Sequence, residues 1–130
     1  MKQIILLSIA FLSFNALSQA DTTKIYVINK TNEFVQIKSD GYTKYSFFYR
    51  DLKFMKETRE LVFSNKAKVI EFFDKAEKVL ATDSGIITAD YNLYRNKLNK
   101  NVLRIQNKEG GYVLLSRETL ETMRSELEKL

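Results

Sequence analysis

Residues 42–50 read YTKYSFFYR, and the fold turns on how this segment is read. Aromatic side chains fill it, and these fit a pleated, half-buried surface better than a helix. Immediately before it stands Ser39-Asp40-Gly41, a turn that places glycine where a positive φ is cheap. The segment is therefore predicted to run back along its predecessor, Glu33–Lys38 (EFVQIK), as a second strand. Thr31 and Asn32 in turn fold that strand back on Lys24–Lys30 (KIYVINK), which gives a hairpin and then a meander.

Downstream, residues 51–60 (DLKFMKETRE) are charged and suit a loop or a short helical turn, and Leu61, Val62 and Phe63 form a short apolar run. Ser64 is a good N-cap. From Asn65 to about Thr82 the pattern becomes helical, with Ala67, Ile70, Phe73, Ala76 and Leu80 at spacings of three and four. Glu71/Lys75 and Asp74/Lys78 place acid before base at i,i+4 on the opposite face. Asp83-Ser84-Gly85 ends the helix.

Residues 85–94 (GIITADYNLY) return to strand, and 96–101 (NKLNKN) form a polar turn. Val102–Gln106 and Tyr112–Leu115 are joined by Glu109-Gly110-Gly111 as a hairpin. Ser116 caps a last helix running from Arg117 to about Lys129, with Glu118 where the helix dipole favours an acid. Its apolar stripe is Leu120, Met123, Leu127 and Leu130. The expected class is α+β: an antiparallel sheet of about five to six strands, with helices 65–82 and 117–129 on one face. No internal repeat is legible.

The first twenty residues have a different character. Lys2 is the only charge before Asp21, and the run from Ile4 to Phe14 is interrupted only by Ser8 and Ser13. Ser18 and Ala20 are small residues two apart. A cationic start, a short apolar stretch and small residues at −3 and −1 describe a secretory leader, cut after Ala20 or alternatively after Ser18. The run is about half of the roughly 20 apolar residues a membrane span needs. The expectation is an exported protein, periplasmic or extracellular, with residues 21–130 as one α+β domain not stably inserted in a membrane.

Composition narrows the chemistry. The chain has no cysteine and no histidine. That removes disulfides, thiol chemistry and the commonest general base, and it makes transition-metal sites improbable. The formal net charge of +5 falls by one with Lys2, and the charges alternate in sign, so no nucleic-acid partner is expected. No phosphate-binding loop is present either. No cofactor and no metal is expected.

Two groups of residues suit a ligand surface. Tyr45, Phe47 and Tyr49 alternate on one face of the 42–50 strand, beside Arg50. Exposed, they could stack on sugars or bases; turned inward, they are a core face. Tyr91, Tyr94 and Arg104 follow the first helix. Arginine beside tyrosine can hold a carboxylate or phosphate, or simply pack across strands. The leading expectation is a non-catalytic binding module for a protein or a cell-envelope polymer. The alternatives are a carboxylate-only hydrolase drawing on Asp83, Asp90, Glu109 and Glu118, or an inhibitor- or immunity-type protein. Glu118 and Glu121 also suit a solvated helix face.

Overall fold

The computed structural model describes residues 20–130. The leader read in residues 1–20 lies, apart from Ala20, outside the described residues. The chain is α+β with antiparallel strands throughout, as expected. The strands divide, however, into two sheets of four, where one sheet of five to six was expected. Strands β1 (Asp21–Val27), β2 (Glu33–Ser39), β3 (Tyr42–Arg50) and β4 (Thr58–Phe63) form the first sheet in that order, and helix α1 (Lys66–Thr82) follows. Strands β5 (Ile86–Ile87), β6 (Asn92–Arg95), β7 (Val102–Gln106) and β8 (Tyr112–Ser116) form the second, followed by helix α2 (Arg117–Glu128). The element order, four strands and then a helix, thus occurs twice.

Local chemistry sets the boundaries. Ser39 pairs with Tyr42, so Asp40-Gly41 is a two-residue hairpin turn, with Gly41 at φ +81°. The charged 51–60 stretch is a loop that becomes strand at Thr58. The single strand expected over 85–94 is instead β5 and β6, broken by a turn. Thr88 makes that turn: its hydroxyl donates to the Tyr91 carbonyl at 2.7 Å and accepts from the Tyr91 N–H at 3.0 Å. Asn65, rather than Ser64, caps α1, its side-chain oxygen accepting from the Lys68 N–H at 2.9 Å. Ser116 caps α2 as expected.

Helix α1 buries Val69, Phe72, Phe73, Ala76, Val79 and Leu80. The stripe is rotated from the expected one, leaving Ala67 exposed, because adjacent Phe72 and Phe73 bring far more apolar area than the alanine. In α2, Leu120, Met123 and Leu127 are buried, and Leu130, beyond the helix end, is exposed. Both helices sit within one core shared by the two sheets. Helix α1 packs on β3 and β4 and on β6 and β7, whereas α2 packs on β1 and β8. A run of aromatic contacts crosses the molecule: Phe63 to Phe72 at 5.5 Å, then Phe72 to Tyr91 at 5.4 Å. These edge-on and tilted pairings are the arrangements aromatic rings favour.

Candidate functional site

The two sheets can be compared position by position through their registers. Phe34, Phe47 and Leu61 pair across the first sheet as Leu93, Ile105 and Val113 pair across the second, and all six face the core. The outward-facing rows next to them differ. In the first sheet the row is Val35, Ser46 and Val62. There Ser46 is fully buried, its hydroxyl donates to Glu60 at 2.6 Å, and Lys44 pairs with the same carboxylate at 3.6 Å. In the second sheet the row is Tyr94, Arg104 and Leu114. The Arg104 guanidinium lies 3.9 Å above the Tyr112 ring. Among the described residues, no carboxylate stands within ion-pair distance of Arg104 or of Lys97.

This outer face and the β6–β7 loop enclose an open hollow of about 730 Å³, lined by Gly85, Tyr94, Lys97, Leu98, Arg104, Gln106, Tyr112 and Leu114 among others. Asp83 is the acid on its lining, and it is neutralised by Arg95 at 3.1 Å. Arg95 is further committed to the end of α1, donating to the Leu80 carbonyl at 3.4 Å, where the helix dipole favours a cation. Gly85 fixes the tyrosine: a β-carbon there would fall 2.9 Å from Tyr94 Cδ1, so only glycine lets the ring lie against this backbone. Leu98, at the tip of the loop, is 98% exposed.

The residues proposed from sequence separate into three places. Tyr45, Phe47 and Tyr49 are 6%, 2% and 3% exposed and belong to the core, so no ligand surface forms there. Their strand turns that face inward because α1 packs on it and Asn107 reaches Tyr49 at its end. Burial also raises the Tyr49 hydroxyl above its usual pKa, even though Asn107 donates to it. Tyr91 is buried against Phe72, and burial raises its pKa as well. Arg50 is exposed at the end of β3, away from the buried trio. Tyr94 and Arg104 remain, directly paired across β6 and β7. Sequence reading missed Gln106, Tyr112, Leu114, Leu98 and Gly85. The alternation in VLRIQ and YVLLS is the signal for the first three, because burying Leu103, Ile105, Val113 and Leu115 turns the intervening residues outward.

A second cluster is charged but already satisfied. Asp51 is fully buried, and its carboxylate accepts from the backbone N–H of Lys53 (2.9 Å), Phe54 (3.1 Å) and Tyr112 (3.2 Å). Asn107 Nδ2 donates at 3.0 Å and Arg59 Nε at 3.2 Å. Burial alone would raise its pKa, but these donors outweigh that and hold it at about 2. Arg59 also pairs with Glu57 and Glu109. A carboxylate with its lone pairs committed in this way joins the β3–β4 loop to the β7–β8 hairpin. It is not poised as an acid or a base.

The other candidate acids do not converge. Asp83 and Asp90 line different hollows, Glu109 is tied to Arg59, and Glu118 is exposed in the first turn of α2. Among the described residues no three potential metal ligands come together, and no helix is long and apolar enough to cross a membrane. The hollow beside Asp90, about 350 Å³, contains Lys68 and Lys75, both paired with Glu71. The groove between the helices is only about 60 Å³. No protein-family model matches the chain, and neither a curated protein nor a solved structure does.

Proposed function

We propose that this chain is an exported, non-catalytic binding module that holds its ligand on the outer face of the second sheet. One observation carries the reading: Arg104 lies over Tyr112 beside Tyr94, above an open hollow, with no acid among the described residues to neutralise it. Opposite charges set across neighbouring strands stabilise a sheet face. Ion pairs of that kind, Lys24–Glu33 and Lys44–Glu60, occur on the first sheet. On the second sheet the arginine instead lies over an aromatic ring, with no carboxylate among the described residues in ion-pair reach. The hollow also lies in the range of roughly 300–1,000 Å³ typical of ligand sites.

Export rests on the leader read in the sequence, and β1 starts at Asp21. A cut after Ala20 would therefore leave every strand of the sheet whole.

A photo-crosslinking amino acid placed at Gln106 tests the face in living cells, whatever the ligand is. The expected result is a mass-shifted adduct from position 106 and none from Val62, an outward position on the first sheet. An adduct confined to Val62 would overturn the assignment. N-terminal sequencing of the protein recovered from its own compartment should begin at Asp21 or Gln19, and an intact Met1 would remove the export half of the proposal.

A further inference from the structure

Resting on that binding-face reading, we propose that the ligand is a small amphiphilic oxyanion, with an anionic head that offers two oxygens to Arg104 and an apolar body against Tyr94, Leu98 and Leu114. The charge argument is local. Asp83 is spent on Arg95, so Lys97 and Arg104 give the hollow an unbalanced positive lining. The stacking argument sets the shape of the head. A guanidinium lying 3.9 Å above a ring has its face occupied. Its N–H donors form a planar fork, which matches the two coplanar oxygens of a carboxylate or two oxygens of a phosphate.

The apolar argument sets the body. Leu98 projects almost wholly into water at the rim, and Leu114 and the Tyr94 ring continue the same lining. Covering such surface favours binding in proportion to the area removed from water. The hollow's neutral hydrogen-bonding side chains are Asn96, Gln106 and the hydroxyls of Tyr94 and Tyr112, and Asn96 already accepts from the Leu98 N–H, which leaves fewer than a sugar polymer with a hydroxyl on nearly every carbon would use. The chemistry therefore favours a small anion with a greasy or aromatic body over a polysaccharide.

The test uses ¹⁵N-labelled residues 21–130 titrated with four probes: 2-naphthoate, 2-naphthyl phosphate, the uncharged 2-naphthalenemethanol, and polygalacturonate. The first two should shift amides of β6, β7 and β8, and the tighter of them identifies the head as carboxylate or phosphate. The alcohol should bind at least about tenfold more weakly. Arg104→Lys, which keeps the charge and loses the fork, should weaken the anions about tenfold, and Leu98→Ser should weaken them several-fold.

Equal binding of the alcohol, or no effect of Arg104→Lys, would overturn the oxyanion while leaving the face intact. Polygalacturonate binding there without the naphthyl anions would overturn the small amphiphile. Naphthoate shifts mapping to the first sheet or the helices would overturn the face itself. Silence from all four probes at millimolar concentration would overturn the inference as a whole.

Discussion

At the residue scale, two glycines hold two side chains in place, and they make opposite predictions. A methyl group at Gly111 would overlap the Asp51 carboxylate, which is buried and held by several donors at once. Neither partner can yield, so Gly111→Ala is expected to cost about 3 kcal/mol through overpacking, read as a lower midpoint in urea. Gly85→Ala meets only the edge of the Tyr94 ring at an exposed face. It should leave the urea midpoint nearly unchanged while displacing Tyr94 and weakening any ligand of the hollow. Asp51 itself gives a pH prediction. Its pKa is lowered from an ordinary 3.8 to about 2, so the native state binds its proton less readily than the unfolded chain does. That contribution is full above about pH 4 and disappears as pH falls toward 2, and it amounts to about 2 kcal/mol. Denaturant unfolding at pH 5 and at pH 2 should show wild type losing that much more stability than Asp51→Asn. Tyr94 and Arg104 were both named from the sequence, and alternation about Leu93, Leu103 and Ile105 turns each outward, but their standing opposite each other is a matter of register. The inward turn of Tyr45, Phe47 and Tyr49 was not legible in the sequence, because an aromatic row reads the same whether a second layer covers it or water does.

At the element scale, the parts written in neighbouring residues were legible and the parts written across distance were not. Strands β2 and β3 follow from alternation and the Asp40-Gly41 turn, and α2 follows from Ser116 and its apolar spacing. The division into two sheets depends on which strand edges meet, a non-local choice that no window of sequence carries. The break between β5 and β6 depends on one hydroxyl, that of Thr88, bonding to Tyr91. The N-terminus of α1 differs from expectation by one residue because Ser64 and Asn65 are both good caps, and only the geometry shows that Asn65 accepts the Lys68 N–H. Asn65→Ala should therefore cost about 1 kcal/mol and Ser64→Ala close to nothing. Thermal unfolding of the two variants side by side checks the assignment, and a larger loss from Ser64 would reverse it.

At the scale of the whole molecule, the element order repeats but the halves are not independent. Helix α1, which belongs to the first half by chain order, packs on β6 and β7 of the second, and α2 packs on β1 of the first. Each half thus supplies the cover for the other's sheet. The Asp51 cluster adds a polar tie, since Leu52 N–H donates to the Tyr112 carbonyl at 2.8 Å and Asn107 reaches both Tyr49 and Asp51. The hollow belongs to this arrangement as well: its floor is the back of a sheet whose other face is closed by α1, and Arg95 fastens one wall to the end of that helix. An isolated segment of residues 21–82 would keep its four strands in sequence but would expose the faces of Phe72, Val79 and Leu80 to water, and a segment of 85–130 would lose the helix beneath Leu93 and Ile105. Each Å² so exposed costs about 25 cal/mol, against the small net stability of a folded domain. Each segment alone is expected to show little near-ultraviolet dichroism and no cooperative melt. Mixing the two should restore both signals, together with binding at the second sheet. Intact residues 21–130 should unfold in a single transition that reads the same by tyrosine fluorescence as by far-ultraviolet dichroism. Two separated transitions, or a 21–82 segment that folds by itself, would show that the halves stand alone and that the exchange of helices stabilises neither.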